Sequence, residues 1–365
     1  MTVEGEASAA VPPLPPWRDL CVPATELRLD PTLTCGQAFR WKVTGPAEWT
    51  CALWGQVVDL RQEPDTVMFR VLGARPGASI DVEGALRDYF QLQTNLGALC
   101  AEWARVDGDF CWKTGVRILR QPVVENLLTF IASSNNNIKR ITMLVDRLCE
   151  RYGTGIDTAK GRFFEFPTVA DIAKDLHIDV TLRELGFGYR APYYAKSVRL
   201  LCEEHPDPDA FLDGLRLEPA DRVRTELLRL SGVGPKVADC VCLMSLDKPD
   251  TVPIDTHMWQ VAQRRYVPRV LEGTLLETQP EAVALARQLR TAKAPTNKTY
   301  AVAQQLFVLL FGPYAGWAQG LLFSGDLDRD PTSAQSAKQA VAKPEKQPPD
   351  GPAPLPRQPS KRRRH

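Results

Sequence analysis

The sequence predicts an α+β, mainly α-helical fold, in which an N-terminal antiparallel β-sheet unit packs on two helical lobes. Two periodicities support this prediction. Residues 17–120 contain alternating apolar and polar positions between turn signals, which is typical of an antiparallel sheet. Beyond residue 121 the apolar positions recur every three or four residues, which is typical of packed helices. At 365 residues the chain is long enough for two or three such units.

The sheet unit is predicted from the alternation in AFRWKVTGPAEWTCALWGQVVDL and TVMFRVL, two segments between residues 38 and 72. Turns are predicted at Thr44–Pro46 and at Gln62–Asp65, where Gly, Pro and Asp occur. Residues 1–16 contain acidic residues but neither Lys nor Arg, which is typical of neither a secretory signal nor a transit peptide. We expect these first residues to form a disordered tail.

The helical part is predicted over residues 121–330. Its first two helices are indicated by the apolar spacing that starts at Val124 and at Ile138. Further helices are predicted at about residues 181–203, 221–246, 255–265, 297–311 and 315–325. No stretch approaches the roughly 18 consecutive apolar residues of a membrane span, so we expect no membrane partner. No extra amphipathic stripe stands out, so we expect a monomer.

The charge is divided unequally along the chain. The formal net charge is +1, but residues 331–365 hold eight Lys and Arg against two acidic residues, about +6, which leaves about −5 for the rest. These last residues are rich in Pro, Lys and Gln and are expected to be disordered. Their Lys361–Arg364 cluster indicates a nuclear localisation signal, which we favour, or a tail that contacts DNA.

The nine cysteines are an odd number and include no C-x-x-C pair. A disulfide framework or a zinc site would need a closer, paired arrangement. We therefore expect reduced thiols in a reducing compartment and no metal site built from side chains.

A helical hairpin is predicted in LLRLSGVGPKVADC, within residues 221–246. Gly232 and Gly234 permit positive φ in the turn, and Pro235 favours the first turn of the second helix. Lys236 then lies in this first turn, where free N–H groups and the helix dipole favour an anion and make the amine more nucleophilic. Such a lysine can also be a solvated surface charge. The hairpin alone leaves DNA binding and this simpler interpretation equally open.

A carboxylate follows the hairpin in VPIDTHMWQVAQRR, where an apolar stretch stops at Asp255 and helical spacing begins. Asp is among the best helix N-caps, so this residue is predicted to cap the next helix. A carboxylate held by backbone N–H groups stays ionised and can also stabilise positive charge on a sugar. The two interpretations are compatible.

These segments together resemble the helix-hairpin-helix glycosylase superfamily. LSGVGPKVADCVCLMSLDKP followed by VPIDTHMW contains a hairpin, a Gly/Pro-rich loop and an aspartate in the order of that superfamily. Four further motifs are similar to segments of the eukaryotic 8-oxoguanine DNA glycosylases: CGQAFRW (35–41), FIASSNNNIKRI (130–141), LGFGYRAPY (185–193) and GPYAGWAQGLLF (312–323). The resemblance covers roughly residues 17–328, and five motifs in a consistent order argue against a chance match.

The resemblance implies a bifunctional enzyme of base excision repair. Such enzymes flip 8-oxoguanine, paired with cytosine, out of duplex DNA, excise it through a lysine Schiff base and cleave the strand on its 3′ side. The attacking amine would be that of Lys236, and Asp255 would stabilise the oxocarbenium-like sugar. No cofactor is required, although family members hold a structural metal ion at the hairpin through backbone carbonyls. No cysteine follows Cys242, so the iron–sulfur cluster that some relatives carry after the aspartate cannot form.

The resemblance also assigns residues to the damaged base. The Gly36 carbonyl would accept the N7 hydrogen that 8-oxoguanine has and guanine lacks, which discriminates the two bases by one hydrogen bond. The pocket would otherwise be formed by Cys240, Met244, Gln319 and Phe323. Without the resemblance, simple core packing would be the favoured interpretation of Cys240 and Phe323.

Two further groups of residues are implied to contact the duplex. The orphaned cytosine and the wedge that replaces the lesion involve Asn135, Arg140, Tyr189 and Arg190. The resemblance implies that the phosphates would be held by Gly232, Gly234, Val237 and His257. Such anchoring by main-chain amides would let a mildly acidic body bind DNA. Taken alone, Arg140 would be interpreted as an exposed position on an amphipathic helix and His257 as structural.

Two positions depart from the family pattern, and two other functions compete with this one. Pro192 stands where a second arginine is expected, and Pro295 where a polar residue is expected. A non-catalytic helix-hairpin-helix module would require neither Lys236 nor Asp255. A glycosylase for adenine or an alkylated base would usually lack the lysine or the asparagine-rich loop.

Overall fold

The computed structural model describes residues 14–110, 115–275 and 279–327. The predicted C-terminal tail, 331–365, lies outside the described residues, as does the predicted N-terminal tail apart from residues 14–16. The basic cluster at Lys361–Arg364 therefore stays a sequence-based prediction.

The N-terminal part contains the predicted antiparallel sheet. Its five strands lie in the order β1-β5-β4-β3-β2, and their bounds are β1 Arg18–Asp19, β2 Lys42–Gly45, β3 Glu48–Leu53, β4 Gln56–Gln62 and β5 Val67–Ala74. The predicted turn at Gln62–Asp65 joins β4 to β5, whereas the turn between β2 and β3 lies at Pro46–Ala47, slightly later than predicted. The link from β3 to β4 is a two-residue turn in which Trp54 and Gly55 both have positive φ, the geometry that suits a tight hairpin.

Three helices complete this part, namely α1 Leu29–Thr34, α2 Val82–Tyr89 and α3 Leu96–Val106. The sheet unit is tied to the helical part through Arg40, which is almost fully buried. Its guanidinium forms an ion pair with Glu125, at 2.5 Å, and donates to the carbonyl oxygens of Ala52 and Phe164. Because a buried charge is costly unless it is paired and hydrogen-bonded, these contacts fix how the two parts meet.

The remainder is mainly helical, as predicted. The helices are α4 Val123–Ile131, α5 Ile138–Tyr152, α6 Val169–Ala173, α7 Ile178–Glu184, α8 Ala191–Glu204, α9 Pro208–Gly214, α10 Ala220–Leu228, α11 Pro235–Ser245, α12 Thr256–Val261, α13 Val267–Leu271, α14 Pro280–Arg290, α15 Asn297–Phe311 and α16 Ala315–Leu327. One large hydrophobic core extends from α3 to α16. The fold class is therefore confirmed.

Three details of the helical part differ from the prediction. The helix predicted at 181–203 is two helices, because Gly186 and Gly188 adopt positive φ between α7 and α8. The helix predicted at 255–265 is α12 followed by a π-helical segment, Ala262–Tyr266. A short hairpin, β6 Gly155–Thr158 and β7 Gly161–Phe164, was not predicted. It packs on the first sheet through Ile156 and Phe163.

The stretch Asn297–Gly325 is long and apolar enough to cross a membrane by length and composition, which the count of consecutive apolar residues had not indicated. It consists of α15 and most of α16, and the helical path is broken between them at Gly312, whose φ is +70°. Side chains such as Leu306 and Phe307 are fully buried in the protein core. A core helix of a soluble protein passes the same test, so this stretch is weak evidence for a membrane span.

Candidate functional site

The predicted hairpin is formed by α10, α11 and the turn between them. Gly232 has φ +84°, and a Cβ atom added there would lie 2.8 Å from the Cβ of Tyr193, so the backbone and the packing both require glycine. The Ser197 hydroxyl donates to the Ser231 carbonyl at 3.0 Å and fixes the turn on α8. Gly234 is the N-cap of α11 and offers no side chain to its first N–H groups. These amides, with that of Val237 in the first turn, can bind an anion.

Lys236 lies in the first turn of α11, as predicted, and is partly buried. Its Nζ lies 4.5 Å from the ring centre of Phe130, a cation–π contact with α4. One helical turn further on lies Cys240, close enough for the charge of Lys236 to act on its thiol. Burial raises the pKa of the Cys240 thiol to about 11, although the charge of Lys236 opposes the shift. The thiol is therefore neutral at physiological pH and forms an uncharged wall beside the amine.

Asp255 is the N-cap of α12, which confirms the predicted cap. Its Oδ1 accepts a hydrogen bond from the Met258 N–H at 2.8 Å. The same carboxylate lies close enough to Cys240 to oppose ionisation of that thiol. Lys236 and Asp255 belong to different elements, and the charges of both act on the thiol of Cys240.

Helix α16 packs closely against α11 and the segment that follows it. A Cβ atom added to Gly316 would lie 2.3 Å from the Thr251 carbonyl oxygen, and one added to Gly320 would lie 2.3 Å from Cδ1 of Ile118. Between these glycines lies Gln319, which is 6% exposed, and its Oε1 has no hydrogen-bond partner among the described residues. A buried acceptor of this kind is costly unless a ligand supplies a donor.

Two further residues predicted for the base pocket, Phe323 and Gly36, have different neighbours. Phe323 is packed against the core cluster that contains Cys240 and Met244, and its ring meets that of His257 edge to face at 5.2 Å. The structure therefore places His257 against Phe323, and its predicted phosphate contact stays a prediction. Gly36 has φ +87° and lies beside Ile138 at the start of α5, so it borders the asparagine-rich loop.

The asparagine-rich loop precedes α5 and meets the Tyr-Arg pair before α8. The Ser134 carbonyl accepts hydrogen bonds from the Tyr189 hydroxyl at 2.9 Å and from Arg190 Nε at 3.1 Å. Arg190 Nη2 also donates to the Asn135 carbonyl at 2.9 Å. Asn135 itself is exposed and has φ +46°, a conformation that asparagine tolerates better than most residues.

The side chains implied to face the cytosine differ in exposure. Tyr189 is 49% exposed and Arg140 is exposed, so both can reach an arriving strand. Arg190, by contrast, is 1% exposed, and its guanidinium holds the loop by donating to carbonyl oxygens of the loop. Arg190 therefore supports the loop, and its predicted contact with the cytosine stays a prediction. Pro192 lies in the first turn of α8, where a missing N–H costs nothing.

Two residues at the site were not found by sequence reasoning. Phe130, which contacts Lys236, lies in a quoted motif, but nothing local indicates that its ring faces the amine. Asp239 is a fully buried carboxylate in α11, and a charge inside the apolar segment VADCVCLM could have drawn attention to it. No group of three or more His, Cys, Asp and Glu that could hold a metal ion lies among the described residues.

Comparison with known proteins bears on this site. Residues 19–127 match the family of the 8-oxoguanine DNA glycosylase N-terminal domain, and residues 128–272 match the HhH-GPD superfamily of base excision DNA repair proteins. The chain is 33% identical to the N-glycosylase/DNA lyase OGG1 of Arabidopsis thaliana, over 90% of this chain and 85% of that protein. It is 34% identical to the N-glycosylase/DNA lyase of Saccharomyces cerevisiae, over 84% of this chain and 85% of that protein.

The fold is also that of solved structures. The 8-oxoguanine glycosylase/lyase of Clostridium acetobutylicum, in complex with double-stranded DNA containing cytosine opposite 8-oxoG, superposes with a TM-score of 0.65. The sequence identity is 22%, over 87% of this chain and 99% of that one. At this identity the likeness concerns the fold alone.

Proposed function

Because the chain belongs to the 8-oxoguanine DNA glycosylase family and is a DNA N-glycosylase with lyase activity, we propose that it excises 8-oxoguanine opposite cytosine with Lys236 as the nucleophile. The observation that carries this proposal is the placement of Lys236 in the first turn of α11, against Phe130, and of Asp255 as the N-cap of α12. An amine that attacks the sugar carbon and a carboxylate that stabilises the charge developing there are what this displacement requires.

In the proposed reaction the neutral amine of Lys236 forms a bond to C1′ of the flipped nucleotide. The bond from C1′ to the base breaks, and the base leaves with the electron pair and takes up a proton. Positive charge develops on the sugar during this step, and the Asp255 carboxylate stabilises it. Asp255 is held for this purpose by its hydrogen bond from Met258. The carboxylate therefore needs no reorganisation as the charge develops.

The nitrogen bound to C1′ then loses a proton, and its lone pair forms a C=N bond as the C1′–O4′ bond breaks. O4′ takes up a proton from water, and the product is an open-chain, protonated Schiff base between Lys236 and C1′. Loss of a C2′ proton and departure of the 3′ phosphate complete a β-elimination, which is the lyase step. The cation–π contact with Phe130 supports this sequence, since it keeps the end of the lysine side chain against α4. The amine is thus restrained near the position where C1′ would arrive.

Recognition of the lesion is proposed to rest on two acceptors. The Gly36 carbonyl would accept the N7 hydrogen of 8-oxoguanine, whereas guanine would present an acceptor to it. Gln319 Oε1, which has no partner among the described residues, would accept from the N1 and N2 hydrogens of the same base. Phe323 and Cys240 would lie on its two faces. A base of another shape would leave these acceptors unpaired, which costs about 1–3 kcal/mol for each group.

The duplex is proposed to be held mainly by main-chain groups. The uncapped amides at the start of α11 would bind a phosphate next to the lesion. The carbonyls of the hairpin turn would hold a structural metal ion. Those of Leu230 and Ser231 accept one hydrogen bond each, so a second lone pair on each oxygen stays available to a cation. Such a set of carbonyl oxygens suits a hard cation and not zinc.

The test is release of the base under single-turnover conditions. Purified protein would be mixed with matched duplexes that carry 8-oxoguanine, guanine or 3-methyladenine opposite cytosine, and with 8-oxoguanine opposite adenine. We expect release of 8-oxoguanine, fastest opposite cytosine, and no release of guanine. Faster release of 3-methyladenine, or no release from any duplex, would overturn the proposal.

A further inference from the structure

A buried carboxylate lies three residues after Lys236 on the same helix. Asp239 has no solvent exposure, and its side chain is surrounded by polar groups from two other helices. Arg224 of α10 forms an ion pair with Oδ1 at 3.2 Å. Oδ2 accepts hydrogen bonds from the Tyr300 hydroxyl at 2.5 Å and from Gln304 Nε2 at 2.8 Å, both of which belong to α15.

The two α15 partners also bind the segment that leads into Asp255. The Tyr300 hydroxyl accepts a hydrogen bond from the Ile254 N–H at 3.2 Å. Gln304 Nε2 donates to the Val252 carbonyl at 2.9 Å. Ile254 immediately precedes Asp255, so one side chain, Tyr300, connects Asp239 to the backbone next to that carboxylate. The helix of Lys236 and the segment of Asp255 are therefore joined by a short buried network.

The network contains a carboxylate whose burial is unfavourable for its charged form. Burial raises the pKa of Asp239 to about 6, against the opposing effects of Tyr300, Arg224 and Gln304. At neutral pH the carboxyl is still mainly ionised, but the shift shows that its charge is poorly solvated. Replacing a buried ion pair with apolar residues is often neutral or stabilising. Stability alone is therefore a weak explanation for a charge at this position.

We propose that Asp239, acting through Tyr300, is a positioning residue that fixes Asp255 relative to Lys236. The proposal rests on the function proposed above. Lys236 and Asp239 share one helix, so any shift of the 252–254 segment against α11 changes the separation of the two reacting groups. A misplacement of about 1 Å can lower the rate of a chemical step by about a hundredfold. Neither Asp239 nor Tyr300 would contact the DNA.

The chain offers a matched control in its N-terminal sheet. Asp59 also has no exposure and is bound by Arg70, Lys160 and Thr50. Its partners lie in β3, β5 and the β6–β7 turn, and the described hydrogen bonds and ion pairs of their side chains lead to Thr44, Glu48 and Asp59 and not to the hairpin or the 252–255 segment. Asp59→Asn therefore disturbs a buried carboxylate of the same kind without a connection to the site.

The experiment compares Tyr300→Phe, Asp239→Asn and Asp59→Asn with the wild type. Tyr300→Phe removes only the hydroxyl that joins the two sides, so it remains informative if Asp239→Asn fails to fold. Three quantities are measured well below the melting temperature of each folded variant: the single-turnover excision rate, the Kd for a duplex with a tetrahydrofuran abasic-site analogue, and the melting temperature itself.

We expect Tyr300→Phe to lower the excision rate about tenfold and to leave Kd within about twofold, because the hydroxyl acts on the chemical step and not on DNA binding. Asp59→Asn should lower the melting temperature but leave the excision rate within about twofold. Three results would overturn this inference but not the proposed function. They are an unchanged rate in Tyr300→Phe, an equal loss of rate in Asp59→Asn, and a rise in Kd that accounts for the lost rate. An inactive wild type would instead overturn the proposed function and the inference with it.

Discussion

The catalytic pocket and the asparagine-rich loop are built in different ways. In the pocket, formed by α11, the 252–255 segment and α16, Cys240 and Gln319 are buried and close helix contacts hold the backbone. In the loop and the first turn of α5 that follows it, Asn135 and Arg140 are exposed, and the loop backbone is held largely by hydrogen bonds to the Ser134 carbonyl. This difference agrees with the proposed function, in which the chemical step needs a geometry that exists before DNA arrives, whereas the opposite strand would be met at the surface.

This difference predicts two classes of variant. Changes in the catalytic pocket should alter the rate of excision and leave the preference for the opposite base intact. Changes in the asparagine-rich loop should alter that preference and leave folding almost unaffected. A pocket variant with an altered preference for the opposite base, or a loop variant that fails to fold, would show that the two regions are coupled.

The largest effect is expected for Asp255→Asn. Asparagine caps a helix about as well as aspartate, so α12 and the melting temperature should be preserved. The charge that stabilises the sugar is lost, and the single-turnover rate should fall by about a hundredfold or more. A rate within threefold of the wild type would show that Asp255 serves only as a cap.

A smaller effect is expected for Gln319→Leu. The Oε1 of Gln319 has no partner among the described residues, so an apolar side chain of similar size should leave the melting temperature unchanged or raise it. Excision of 8-oxoguanine should fall by about ten- to a hundredfold, since the base loses an acceptor. Measured opposite cytosine and opposite adenine, the two rates should fall in parallel. A lower melting temperature with an unchanged rate would assign this residue to the core instead.

The smallest effect on rate is expected for Arg140→Gln. The residue is exposed, and the one described hydrogen bond of its side chain, to the Gly186 carbonyl, is long at 3.4 Å, so stability should change by no more than about 0.5 kcal/mol. The ratio of excision rates opposite cytosine and adenine should decrease about tenfold. If that ratio is unchanged while both rates fall, Arg140 contributes to DNA affinity and not to reading the opposite base.

The local parts of the fold could be predicted from the sequence. The bounds of α15 agree with the predicted 297–311 for two reasons. The apolar spacing is followed by Gly312, and Thr296 and Thr299 form a capping box at the start of the helix. Lys236 and Asp255 could be placed for the same reason, since glycine, proline and cap signals surround them. The β6–β7 hairpin escaped prediction because its strands have only four residues each and are stabilised by the distant sheet.

The long-range parts of the site could not be predicted. Asp239 is bound by Tyr300 and Gln304, which are more than sixty positions away, and no local pattern reports such a contact. The burial of Arg190 is likewise set by the loop around Asn135, 55 residues earlier. Roles that depend on which side chain meets which across the fold need the structure, whereas roles that depend on a turn or a cap do not.

The most direct test of the central claim is to reduce the reaction mixture with borohydride while protein and duplex react. With 8-oxoguanine opposite cytosine, the account predicts a covalent protein–DNA adduct whose attachment maps to Lys236 by mass spectrometry. Lys236→Gln should give no adduct while it keeps the melting temperature of the wild type. No adduct with the wild type, an adduct at another lysine, or an undiminished adduct with Lys236→Gln would contradict it.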